Sequence, residues 1–195
     1  MKRWQGFALL LLTIPVPASA SGIDLLNTRS FQGGPINNET VGQLTVKWVY
    51  QTAPDTGTAS SAQGSISSTP AVDGRYLYFN DMSGFLTKLD RFTGKLVWRK
   101  NYVNDLSAPG FVVKSSRNTP YVKGDLLIVG SNMGLTDRLC RMTGGTPSAL
   151  GCASGDGAIV LAIDKNSGQV VWRAKAETHP SSKVTGSISG HGDTI

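Results

Sequence analysis

Histidine is almost missing from this sequence of 195 residues, with His179 and His191 the only two. That excludes a histidine-rich metal site, and a Ser-His-Asp triad would need one of the pair buried against an aspartate. His191-Gly192-Asp193 instead has the composition of an exposed hairpin turn. Cysteine is equally sparse: Cys140 and Cys152 form neither a CxxC redox dithiol nor a CxxCH haem-attachment site. Charged residues make up only 16% of the chain, and its lysines and arginines are scattered, with no run of five. The formal charge of +6 therefore gives no support to nucleic-acid binding. Glycine-rich stretches such as Gly144-Gly145 and Gly155-Asp156-Gly157 match neither the dinucleotide nor the P-loop spacing. The longest apolar run, Phe7 to Val16, is too short to cross a bilayer, so no membrane span is expected.

That run follows Lys2 and Arg3 and precedes Pro17-Ala18-Ser19-Ala20, the form of an export signal cleaved after Ala20. Residues 1–20 are thus read as a signal peptide, and the mature protein as periplasmic or secreted. In an oxidising compartment Cys140 and Cys152, twelve residues apart, can close a disulfide; the alternative is two free thiols.

Repetition organises the rest. Ser68-Thr69-Pro70-Ala71-Val72-Asp73-Gly74 recurs as Asn118-Thr119-Pro120-Tyr121-Val122-Lys123-Gly124, fifty residues on. The apolar run Tyr76 to Phe79 recurs as Leu126 to Gly130. Asp90, Gly94 and Trp98 return as Asp164, Gly168 and Trp172, now 74 residues on, which places one insertion of 24 residues between Gly130 and Gly155. Each copy holds four short runs punctuated by turn residues, the pattern of a four-stranded antiparallel propeller blade. Blades are expected over Gly64 to Lys100 and Ser116 to Ala174, with a loop inserted at 131–154. Trp48, fifty before Trp98, lies in Val46 to Tyr50, expected as a lone outer strand. Thr185 to Ile195 begins a third copy, with Gly192 in the place of Gly74, and residues 21–195 are read as the N-terminal part of a longer propeller.

The repeated Asp-x-x-Thr/Ser-Gly-x-x-x-Trp resembles the tryptophan-docking motif of pyrroloquinoline quinone (PQQ) dehydrogenases. Asn27-Thr28-Arg29, Ile36-Asn37, Val41 to Trp48 and His179-Pro180 with Val184 to Ser187 are similar to the polyvinyl alcohol dehydrogenase branch. The resemblance implies an all-β fold, a β-propeller of PQQ-type blades (eight in the family), of which about two and a half are present here. It also implies PQQ and Ca²⁺ as cofactors, an alcohol substrate and a cytochrome c-type electron acceptor. In the family, inner strands of the first three blades present a Glu, an Arg and a Thr to PQQ, at positions that fall here on Ser67, Arg117 and Thr185. Arg117 and Thr185 are the cofactor-binding candidates, and Ser67 departs from the pattern. An arginine suits a tricarboxylate because its guanidinium fork binds carboxylates bidentately. The Ca²⁺ ligands and the catalytic Asp of the family are expected beyond Ile195, and no catalytic residue is assigned. Outer-membrane assembly scaffolds also resemble the blade motif, so a non-catalytic, protein-binding propeller stands as the alternative.

Overall fold

The computed structural model describes residues 36–52, 64–113, 115–131, 157–178 and 182–195. Two four-stranded antiparallel sheets carry the architecture, each with its strands in chain order. The first holds β1 (Ala71–Asp73), β2 (Tyr76–Asp81), β3 (Phe85–Asp90) and β4 (Leu96–Asn101). The second holds β5 (Tyr121–Lys123), β6 (Leu126–Gly130), β7 (Ala158–Asp164) and β8 (Val170–Glu177). These are the two expected blades, and the fold is an incomplete β-propeller of PQQ-type blades. The signal peptide, both cysteines and nearly all of the 131–154 insertion lie outside the described residues.

The register follows the repeat. Ala71 pairs with Tyr78 in the first blade and Tyr121 with Ile128 in the second, fifty residues on. β3–β4 and β7–β8 each shift register close to the turn that joins them, at Lys88/Leu89 and at Ala162/Ile163, and β7–β8 shifts once more at Ala158/Ile159. The turn glycines Gly74, Gly124 and Gly192 adopt φ of 53°, 57° and 54°. The third copy is therefore visible as structure, with a His191–Thr194 bridge enclosing its turn.

Apolar side chains of both sheets face the space between the blades. Tyr78 and Leu86 of the first sheet join Leu127, Val129, Ile159, Leu161 and Ile163 of the second in one buried cluster. Tyr102, Leu106 and Val113 of the linker complete it. The core thus lies between the blades, and each aliphatic side chain fully buried there contributes about 2 kcal/mol. The linker's own structure is a single π-helical turn, Tyr102–Leu106, capped by Asn101, whose side chain accepts from the amides of Val103 and Asn104.

The β3–β4 and β7–β8 turns are near copies. Asp90 Oδ1 accepts from the amides of Phe92 (2.9 Å) and Thr93 (3.1 Å), as Asp164 Oδ1 does from Asn166 (3.1 Å) and Ser167 (2.7 Å). Each closes on a glycine at positive φ, 70° at Gly94 and 71° at Gly168, where a side chain would be strained. A tryptophan from the preceding segment covers each glycine. Trp48 donates to the Arg91 carbonyl (2.9 Å), and Trp98 to the Lys165 carbonyl (3.2 Å). A Cβ on Gly94 would lie 2.6 Å from the Trp48 ring, and one on Gly168 would lie 3.2 Å from Trp98.

Val46 to Tyr50 corrects one expectation. The segment belongs to no strand among the described residues, because no neighbouring strand supplies a ladder. Trp48 fixes it by docking, and Tyr50 by an edge-on contact with Phe79 at 6.1 Å between ring centroids.

Amide and hydroxyl hydrogen bonds from Ser167 hold the Asp164 carboxyl below the usual carboxylate range. A depressed carboxyl pKa stabilises the fold above the unfolded-state value, about 4, and that contribution is lost as pH falls through the folded-state value. Asp164→Asn is expected to flatten the acid limb of a stability-versus-pH curve below about pH 4. Denaturant midpoints measured at several pH values would show it, and identical acid limbs in the two proteins would refute it.

Candidate functional site

Arg117 and Thr185 come from segments that enter β5 and the start of the third copy, and the structure lays these segments side by side. The tie is Asn118. Its Nδ2 donates to the carbonyls of Val184 (2.8 Å) and Gly186 (3.2 Å), the two that flank Thr185. Its Oδ1 accepts from Ser116 Oγ (2.5 Å) and from the Gly130 amide (3.0 Å). One residue further on, the Thr119 amide donates to Ser187 Oγ (3.3 Å).

The network extends back into the first blade. Asn80 at the end of β2 donates to the Asn118 carbonyl (2.7 Å), and its Oδ1 accepts from the Tyr102 hydroxyl (2.5 Å). Asn80, Tyr102, Ser116 and Asn118 are all buried, and burial pushes the Tyr102 phenol up, so it stays a donor at every ordinary pH. Four polar side chains thus join two blades and the third-copy segment beneath Arg117 and Thr185. Each is partnered, which removes the desolvation cost of burying it.

Arg117 itself is exposed and has no hydrogen bond or ion pair among the described residues. Thr185 is likewise exposed. Ser67, at the matching position of the first blade, donates to the thioether of Met82 at 3.7 Å, so no carboxylate stands there. The local result is one guanidinium unpaired among the described residues and one hydroxyl, on adjacent segments tied together by a buried hydrogen-bonded layer. Such a pair can accept an anionic, oxygen-rich group.

The repeat carries a signal for Asn118 that sequence reasoning passed over. Asn118 replaces Ser68 in otherwise matching Ser/Asn-Thr-Pro triplets. The longer side chain spans to the third copy, whereas the buried Ser68 hydroxyl has no partner among the described residues. A second buried polar group, Asp81, is structural. It accepts from Arg99 (3.1 Å) and from the amides of Ser83 and Phe85, while Arg99 lies 3.8 Å over the Phe85 ring and also donates to the Thr52 carbonyl. Burial pushes the Asp81 carboxyl up, with Arg99 opposing. Among the described residues no group of three or more His, Cys, Asp or Glu side chains could hold a metal. No described helix is long and apolar enough to cross a membrane.

Residues 46–195 match the model of the PQQ_2 family, described as outer membrane protein assembly factor BamB. No curated protein matches the sequence. Among solved structures, the chain is similar to BamB from Moraxella catarrhalis, with 23% identity over 57% of this chain and 24% of that one, at a TM-score of 0.36. A europium-containing methanol dehydrogenase is 21% identical over 54% of this chain and 14% of its own, at 0.36. The quinohemoprotein alcohol dehydrogenase from Comamonas testosteroni is 16% identical over 63% and 22%, at 0.42. The chain spans about a quarter or less of the length of these proteins.

Proposed function

The chain belongs to the PQQ_2 family, and on that premise we propose that it is the N-terminal part of an exported PQQ-dependent dehydrogenase that oxidises an alcohol, possessing in Arg117 and Thr185 part of the cofactor site. The observation that carries this reading is the exposed guanidinium of Arg117, unpaired among the described residues, on a segment that the Asn118 hydrogen bonds tie to the one carrying Thr185. Structural arginines find a carboxylate or a carbonyl, as Arg99 does with Asp81 and Thr52. Among the described residues Arg117 has neither, and an exposed cation on a fixed backbone fits one carboxylate of a tricarboxylate quinone.

In this reading Arg117 binds and orients, Thr185 donates or accepts one further hydrogen bond, and the Asn118 layer keeps both segments in register. PQQ, when bound, supplies the two-electron acceptor for the alcohol. Ca²⁺ belongs to the same reading, its ligands expected after Ile195, as does a cytochrome c-type acceptor for the electrons. The polyvinyl alcohol-like N-terminus favours a secondary-alcohol polymer or a related alcohol as substrate.

A second reading rests on a separate observation, the family description as an assembly factor. In that case the propeller binds proteins through its faces and loops, and Ser67 in place of a glutamate is of no consequence.

Titration of the apo-protein with PQQ in the presence of Ca²⁺ separates the two. Arg117→Ala is expected to weaken binding by about 1.5 to 3 kcal/mol, the range for a hydrogen bond to a charged group. Arg117→Lys restores only part, since it keeps the charge and loses the fork. Equal affinity of wild type and Arg117→Ala removes Arg117 from the site, and no binding by either assigns the protein to the scaffold class.

A further inference from the structure

The first blade's outer turn carries side chains that its role as a turn does not require. Arg91-Phe92-Thr93-Gly94-Lys95-Leu96-Val97 corresponds to Lys165-Asn166-Ser167-Gly168-Gln169-Val170-Val171 in the second blade. Both make the same hydrogen bonds to their leading aspartate and dock the same kind of tryptophan. Asparagine and glutamine therefore satisfy the geometry where the first blade has phenylalanine and lysine.

Phe92 is 49% exposed, and two cations lie against its ring, Lys47 at 5.4 Å and Arg91 at 4.6 Å. Lys95 is exposed on the same turn. Leu96 and Val97 follow it, 51% and 47% exposed. Across 44–50 and 91–97 there are three cations and no carboxylate. Asp90, next to the turn, is already held by Arg75 at 2.5 Å. The second blade's Lys165 is by contrast spent on Asp73 and the Gly124 carbonyl.

We propose that the tip formed by Lys47, Arg91, Phe92, Lys95 and Leu96 is a docking surface for an anionic lipid bilayer. Three cations around an exposed ring, with exposed aliphatic side chains beside it, match a surface that is anionic outside and apolar within, which is what an anionic bilayer presents. Its headgroup phosphates meet the three cations while Phe92 and the neighbouring aliphatic side chains enter the apolar boundary below. An aromatic ring ringed by basic residues is the composition that interfacial segments use. This inference does not depend on PQQ binding.

The test is co-sedimentation of the protein with vesicles of phosphatidylcholine alone and with about a third phosphatidylglycerol, where each cation near an anionic surface adds roughly the same increment. Partition onto the anionic vesicles is expected to exceed that onto neutral ones at least tenfold and to fall as salt is raised. The combined variant Arg91→Lys, Phe92→Asn, Thr93→Ser, Lys95→Gln installs the second blade's turn, whose sequence already folds in this scaffold. It is expected to lose at least nine-tenths of the anionic partition with an unchanged far-UV spectrum. Equal partition of variant and wild type, or equal binding to both vesicle types, overturns the proposal. So does binding to polyglutamate without binding to vesicles, which assigns the tip to an acidic protein face.

Discussion

Asn118→Ala is expected to destabilise the protein by about 3 kcal/mol, because it leaves buried donors without acceptors at a junction of three segments. The Gly130 amide and the Ser116 hydroxyl lose their shared acceptor, and the carbonyls of Val184 and Gly186 lose their donor. Urea unfolding should show a lower midpoint at unchanged slope. A companion variant separates hydrogen bonding from volume. Asn118→Asp keeps the shape and the acceptor for Gly130 but turns an oxygen toward two carbonyls, so it should be more stable at acid pH, where the carboxyl is protonated, than at neutral pH. A loss below about 0.5 kcal/mol for Asn118→Ala would mean that the layer beneath Arg117 is not the clamp described above.

Trp98→Ala is expected to cost a similar amount, about 3 kcal/mol, the lower end for removing a large aromatic side chain, since the indole is only partly covered. The ring lies over Gly168 and 6.3 Å from the Tyr78 ring, so truncation opens the outer seam between the blades. Trp98→Phe should cost far less, about 1 kcal/mol, because it removes chiefly one hydrogen bond. The Lys165 carbonyl would still accept from Lys88 Nζ at 2.8 Å. Lys88 is itself buried between the blades with its pKa lowered by burial and by Lys165. If Phe proves as damaging as Ala, packing is not the main contribution of Trp98.

The blades were legible because their determinants are local. Turn glycines, Asx-forming aspartates and alternating apolar runs fix strand after strand without reference to distant residues, and a repeat displays them twice. Trp48 shows where that reading ends. Its spacing matched it to Trp98 and so to an outer strand, but whether 46–50 is a strand depends on a neighbour, and no spacing contains the neighbour. Of the proposed site, Arg117 and Thr185 were named from the resemblance to the family's PQQ-facing positions, while Asn118, which ties their segments together, was hidden in a substitution of Asn for Ser within the repeat. The Asn80–Tyr102 contact joins residues 22 apart across the β3–β4 hairpin, from the end of β2 to the first residue of the linker. Such long-range polar pairings leave no signature in a single sequence.

The forward reach of the tryptophans has a bearing on how these units could be exchanged. Trp48 covers the turn at Gly94, and Trp98 the turn at Gly168, so each joint is made of an indole from one unit and a turn from the next. The array consequently has a direction, like a row of hooks and eyes. A graft cut at sheet boundaries carries one eye and one hook, and pairs each of them with a foreign partner. Cut instead just after each Asx turn, from Lys95 to Gly168, a transplanted piece would keep Trp98 together with the turn it covers. Chimaeras and circular permutants of this protein should therefore be drawn by joint and not by sheet.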